Sequence, residues 1–374
     1  MIKNYVNENA QNLVQLLREL GPIPAPSHHE EKRAEFCLNW FKENGCEGAY
    51  IDEALNVIWP LNCEGSNEIT VVVAHTDTVF PDTDPLPMTE DDTCLRCPGI
   101  GDDTANLVNL MYAARFFAQN GLKPEKGVLF VCNSCEEGLG NLKGTRAIMK
   151  AFAGRVKQFI SLDGSSHHRI ADRCVGSHRY RVEVKTQGGH SFSNFGRKSA
   201  LHALSELICG IYAIEIPQKS GAKTTCNVGI VEGGTSVNTI AQQASMLCEY
   251  RSDDVECLAY MEKKFSDLFE SARNDEVTVI VEKIGDRPCA DIDPALQEQL
   301  AKKLANVITS VTGLATERRS SSTDCNIPLS MGIPAVCIGT VIGAGAHTRE
   351  EYIEKASMPK GLEIAITAIL EVTK

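Results

Sequence analysis

A chain of 374 residues, 43% apolar and 23% charged, has enough hydrophobic material for a large core and exceeds the size that one core usually serves, so two domains are expected. A formal net charge of −12 argues against nucleic acid and anionic membrane surfaces as partners and leaves a small or cationic ligand. The start, "MIKNYVNENAQNLVQLLREL", lacks a basic segment followed by an apolar core and a cleavage site, and no later apolar run approaches about 18 residues; a soluble, cytoplasmic protein is expected.

In chain order, "ENAQNLVQLLREL" and "HEEKRAEFCLNWFKEN" carry helical spacing and stop at Gly21-Pro22 and Gly45. Short apolar runs then alternate with helices: "EITVVVA", the helix "TANLVNLMYAARFFAQN", "GVLFVC", a helix around "GTRAIMKAFA", and "QFISL". Such alternation predicts a parallel sheet with crossover helices. From about Ser177 the pattern changes to β-α-β-β-α-β, the split order of a ferredoxin-like layer, through "HRYRVEVKT", "KSALHALSELICGIYAI", "TTCNVGIVEGG", "ASMLCEYRS", "VECLAYMEKKFSDLFESA" and "EVTVIVEKI". The α/β style resumes with "ALQEQLAKKLANVITSVTG", "IPAVCIGTV" and "GLEIAITAILEV". The fold class is therefore α/β, with a mostly parallel sheet in a discontinuous domain of residues 1–176 and 288–374 and an inserted α+β domain at 177–287.

The 15 cysteines are odd in number and dispersed, which favours reduced thiols over a disulfide framework. The pairs Cys94/Cys97 and Cys132/Cys135 resemble half-sites for structural zinc, but their separation exceeds the usual spacing and Cys132 closes an apolar run.

Several apolar runs lead directly into groups able to bind metal: His75 and Asp77 after "TVVVA", Glu136 and Glu137 after "LFVC", Asp163 after "FISL", and His347 beyond "AVCIGTV". The carboxyl ends of parallel strands share one edge, where ligands bind, so these positions converge there. Asp102, in the glycine-rich turn "GIGDDT", can face the same edge. Taken singly, Asp102 or Asp103 reads as a helix cap, the glutamates as solvated loop charges, His75 as a strand-end histidine and Asp163 as a turn former. Together they supply the nitrogen and oxygen donors of a two-metal hydrolase.

These motifs resemble the co-catalytic zinc peptidases and deacylases, the family of carboxypeptidase G, peptidase T, aminoacylase and the acetylornithine and succinyl-diaminopimelate deacylases. Its H-x-D is "HTD", its D-D "GIGDD", its E-E-G "EEG", its single Asp "LDGS" and its late His "GAGAH"; its inserted domain carries G-H-S, here "GGHS", and a later Asn, here in "GGTSVNTI". "SSSTDCN" resembles the G-G-T-D segment near the substrate, with serines in place of glycines, and Thr104-Ala105 stands where many members have Lys-Gly. The resemblance implies an exopeptidase acting on short peptides, or alternatively an N-acyl amino acid deacylase, with two divalent ions, zinc first and cobalt or manganese as alternatives. It makes Asp102 the bridge, His75 and Asp163 the ligands of one ion, and Glu137 and His347 those of the other. Asp77 orients His75, Glu136 is the general base for a hydroxide held between the ions, and His190 donates to the oxyanion. Asn238 and Arg318, with Arg319 as rival, are the candidates for substrate contact, and a homodimer forms through the inserted lid.

Overall fold

The computed structural model describes residues 1–374, which form two compact units: 1–174 with 291–374, and 175–290. The first unit is built on an eight-stranded sheet whose order is Tyr50–Ile51, Val57–Leu61, Gly127–Asn133, Ile69–His75, Val156–Leu162, Ala335–Ile338, Arg169–Cys174 and Glu317–Ser321. The four strands from Gly127–Asn133 to Ala335–Ile338 run parallel, and antiparallel pairings occur only outside them. Every residue of Ile69–His75 and Gly127–Asn133 is buried, as expected of strands covered on both faces. The mostly parallel α/β expectation is thus met.

The helix Ala105–Gln119 is buried nearly all round, which suits its apolar sequence. Ile2–Leu20 and Met358–Val372 pack against it and share its core through Leu13, Leu17, Phe116, Leu362 and Ile366. Pro294–Thr312 starts with Pro294 at its first position and Asp293 as a cap whose carboxylate accepts the Ala295 N–H at 2.8 Å, and it ends at Gly313 in the left-handed region. A small antiparallel sheet, Gly343–Ala344, Tyr352–Glu354, Cys94–Arg96 and Thr89–Glu90, joins the segment around His347 to the segment before Asp102.

The long elements of the second unit follow the order β-α-β-β-α-β and form a four-stranded antiparallel sheet, Thr224–Gly233, Gln243–Ser252, Gly176–Lys185, Thr278–Arg287, beside which the short strands Gly189–His190 and Thr239–Ile240 make a two-stranded antiparallel pair. Helices Ala200–Ala213 and Val255–Ser271 bury Leu204, Leu207, Met261 and Phe265 with Val182, Val184 and Tyr250 of the sheet. No helix of the protein is long and apolar enough to cross a membrane.

Sequence reading missed the strands Val57–Leu61, Arg169–Cys174 and Glu317–Ser321. The last two are rich in arginine and lie at one end of the sheet, where a solvated face removes the apolar run that marks a central strand. All cysteines are free, and none belongs to a group of metal-capable side chains, so the Cys-x-x-Cys zinc reading falls away.

Candidate metal centre and substrate cavity

The four parallel strands end on one edge, where His75 closes its strand and the segments beyond the strands carry Asp77, Glu136, Glu137, Asp163 and His347. The structure brings His75, Asp102 and Asp163 together, and likewise Asp102, Glu137 and His347, with donor atoms in each group within 4.8 Å of one another. Asp102 stands between the two imidazoles, one oxygen 3.1 Å from His75 Nε2 and the other 3.1 Å from His347 Nε2. His347 Nε2 is also 3.2 Å from Glu137 Oε1. Glu136 joins a third group with His75 and Glu137 and is buried beside them.

Asp77 organises two of these loops. Its carboxylate accepts the backbone N–H groups of Glu136 and Glu137, both at 2.9 Å, and the Ser27 hydroxyl at 2.6 Å. His75 Nδ1 lies 3.0 Å from the Asp77 carbonyl oxygen and 3.4 Å from its carboxylate. The ring N–H expected to reach the side chain thus lies nearer the main chain, and either partner leaves Nε2 as the free donor. Neither Asp102 nor Asp103 caps the helix Ala105–Gln119, whose N-terminus has no side-chain cap. Asp103 instead accepts the His75 backbone N–H at 2.8 Å.

Glu351 was not anticipated. Its buried carboxylate accepts the backbone N–H groups of Gly99, Gly101 and Asp102, each at 2.8 Å, and so fixes the turn that presents Asp102. In the same segment, Arg349 forms a two-pronged ion pair with Asp82 at 2.9 and 2.7 Å and lies over the Phe80 ring. One stretch of five residues therefore supports His347, Asp102 and the loop after Asp77.

The electrostatics are those of acids crowded away from water. Burial, then repulsion from Asp102, pushes Asp163 up to about 7; burial, then Asp102, does the same for Glu351. Asp103 is driven well up, again by burial first. Hydrogen bonds to Asp102 and Glu137 raise His347 to about 10. His75 is raised well above its ordinary value because Asp103, Asp102 and Asp77 outweigh the opposing effect of burial. The cluster is short of positive charge and draws protons onto its imidazoles. Imidazole nitrogens and carboxylate oxygens held at this spacing fit divalent cations, which would meet the same deficit.

Beside Asp102 and Asp163 opens a cavity of about 330 Å³, within the size range of ligand pockets. Its lining also includes Arg169 and Arg319 and the hydroxyl residues Ser165, Ser166, Ser321 and Thr323. Arg318, expected at the substrate, is turned elsewhere: its guanidinium is bound to Asp172 at 3.2 Å and Glu298 at 2.6 Å. Neighbouring residues of a strand face opposite sides, so placing Arg319 on the cavity side places Arg318 away from it.

Over residues 71–371 the sequence matches Peptidase family M20/M25/M40. The chain belongs to that family. The M20 member is 26% identical over 392 residues to protein YqjE of Bacillus subtilis, covering 98% of this chain and all of that one. It is 24% identical over 321 residues to an acetylornithine deacetylase of Myxococcus xanthus, covering 80% of each. Among solved structures, aminopeptidase PepT from Bacillus cereus superposes with a TM-score of 0.75 at 20% identity, over 98% of this chain and 99% of that one. The protein is a metallopeptidase or amidohydrolase.

On the second unit of this M20 hydrolase, His190 and Asn238 are neighbours: His190 pairs with Thr239, and the Ser191 N–H donates to the Asn238 carbonyl at 2.9 Å. His190 Nδ1 accepts the backbone N–H groups of Phe192 and Ser193 at 3.2 and 3.4 Å, which puts the ring proton on exposed Nε2. The Asn238 side-chain oxygen accepts the Ser236 hydroxyl at 2.8 Å.

Proposed function

We propose that the protein is a dinuclear metal-dependent exopeptidase of short peptides, with N-acyl amino acids as the alternative substrates. The observation that carries this reading is the Asp102 carboxylate, shared by two groups of His and acid donors. His75, Asp102 and Asp163 would hold one cation and Asp102, Glu137 and His347 the other. The mixed imidazole and carboxylate set suits zinc, with cobalt or manganese as substitutes. Two such ions supply Lewis acidity toward an amide carbonyl and lower the pKa of water.

The chain's own groups do the rest. Glu136 takes the proton of the attacking water and delivers it to the leaving amine. Asp77 holds the Glu136 and Glu137 main chain in place and keeps the His75 tautomer. His190, with its proton on Nε2, donates to the developing oxyanion. Arg319 takes the role expected of Arg318 and grips a substrate carboxylate in forked fashion. Asn238 is a second polar contact for the substrate. The inserted unit serves as lid and as homodimer contact, a role supported by Ile230 and Val231, half exposed on its edge strand Thr224–Gly233. The acetylornithine deacetylase relative supports the deacylase alternative.

The deciding experiment compares Glu136→Gln with Glu137→Gln. Glu136→Gln should keep both metals by elemental analysis and lose turnover by about 10²–10⁴-fold. Glu137→Gln should lose metal first. Near-normal turnover in Glu136→Gln with both metals in place refutes the assignment, and activity in metal-free protein refutes the class. A panel of dipeptides, tripeptides and N-acyl amino acids separates the two substrate readings.

A further inference from the structure

The cavity beside Asp102 and Asp163 is lined by two acids and two arginines. Those two are its only acidic lining residues, and both belong to the groups of metal-capable donors; its only other charged lining residues, Arg169 and Arg319, stand on strands two and three places along the sheet from Val156–Leu162, the strand that leads into Asp163. The two arginines come from adjacent parallel strands, Arg169–Cys174 and Glu317–Ser321, in which Glu317 pairs with Arg169 and Arg319 with Ala171. Arg169 and Arg319 therefore share a face and are offset by two positions, about 8 Å between Cα atoms by ordinary strand spacing. Arg319 makes no ion pair. Arg169 has one, its Nε 3.4 Å from Glu317, with both side chains about half exposed. An exposed single contact of that length holds little energy and leaves the two terminal nitrogens of Arg169 unengaged.

One arginine suffices for one carboxylate, because the guanidinium fork matches it with two parallel hydrogen bonds. A second guanidinium on the same sheet face, in a cavity whose only acids are Asp102 and Asp163 of the metal-capable groups, calls for a second anionic group. Resting on the hydrolase reading above, we infer that the half of the substrate filling this cavity is an acidic amino acid, presenting an α-carboxylate to Arg319 and a side-chain carboxylate to Arg169. The substrate class is thus an amide of an aspartyl or glutamyl residue, either a short peptide ending in it or its N-acyl derivative. Arg169 is the residue that distinguishes such substrates from their neutral amide counterparts. Removing one carboxylate from the substrate leaves its guanidinium without the partner, a penalty larger than the gain from any apolar contact that replaces it.

The test uses the metal-loaded full chain with matched pairs: Ala-Glu against Ala-Gln, and N-acetylglutamate against N-acetylglutamine, at one fixed ionic strength. Wild type should prefer the acidic member of a pair by about 10–100-fold in kcat/KM, the worth of one charged hydrogen-bonded contact. Arg169→Gln should reduce that ratio to within about threefold of unity and Arg169→Lys should keep part of it, since an ammonium retains the charge without the fork. Arg96→Gln, which removes an exposed arginine paired with Asp91, should leave the ratio at the wild-type value. Equal rates on both members, a preference that survives Arg169→Gln, or the same loss in Arg96→Gln overturns the inference. Should no amide be cleaved, the hydrolase reading fails by itself and calorimetry decides the subsite: glutamate binding more tightly than glutamine in wild type but not in Arg169→Gln upholds it, and equal binding overturns it.

Discussion

Asp77→Asn isolates the role of one carboxylate in the centre. Both Asp77 oxygens are occupied, Oδ1 by the Glu136 N–H and Oδ2 by the Glu137 N–H and the Ser27 hydroxyl. Asparagine keeps the shape but offers one oxygen and one NH₂, so whichever way it turns, an amide donor faces a backbone donor. Burial alone would push Asp77 up, but the bonds from His75, Ser27 and Glu137 hold its pKa below the ordinary value, and it is the charged form that is lost. A charge-assisted bond is worth about 1.5–3 kcal/mol, and a buried donor left facing another costs about 1–3 kcal/mol more. The sum, about 2.5–6 kcal/mol, falls on the Glu136–Glu137 turn. His75 is affected less, because its Nδ1 already lies 3.0 Å from the Asp77 carbonyl. The expected result is a fall in turnover of at least about 10²-fold, with metal lost first from the group containing Glu137. Metal content by elemental analysis, turnover and the melting temperature of the same preparation check it. A variant with normal turnover and both metals retained would show that Asp77 does not hold this turn.

Three further outcomes are expected. Glu351→Gln removes one of three backbone contacts at the Asp102 turn and should lower both melting temperature and metal affinity; a variant matching wild type in both measurements would refute the bracing role. His167 is buried with Nε2 unpartnered, and burial lowers its pKa from 6.5 to about 4. A depressed histidine resists protonation in the folded state while the unfolded chain accepts it, so its neutral form contributes stability above pH 6.5 that is lost as pH falls toward 4. The loss between pH 7.5 and 5 comes to about 2 kcal/mol, and His167→Asn should flatten that limb of a pH series of denaturant unfolding curves; an unaltered slope would refute the linkage. Wild type should sediment as the proposed dimer and Ile230→Lys, on the exposed edge strand, as a monomer; a monomeric wild type would refute the dimer, and an unchanged mass would remove that strand from any dimer contact.

The central strands were legible because burial on both faces writes an unbroken apolar run, as in "ITVVVAH" and "GVLFVCN". The donors His75, Asp163 and Glu137 were legible because each follows such a run. Other features leave no such mark. The charged strands Arg169–Cys174 and Glu317–Ser321 look like loop, and the choice between Arg318 and Arg319 rests on strand facing, where a shift of one residue reverses the outcome. Glu351, in "HTREEY", reads as one solvated acid among others, because its partners are backbone N–H groups 249 to 252 residues away, which have no letter in the sequence. Asp77 was legible as a partner of His75 but not as a clamp on Glu136 and Glu137, for the same reason.

The contacts of Glu351 also fix when the centre can exist during synthesis. The turn bearing Asp102 is braced by a residue about 250 positions later, and His347 arrives with it. Closing so long a loop is entropically slow, and it cannot begin before that part of the chain has left the ribosome. A nascent chain can therefore lay down Ile69–His75, Gly127–Asn133 and Val156–Leu162 while the candidate metal centre is still incomplete. The centre is completed late in chain order, by a segment whose own sequence is mostly loop.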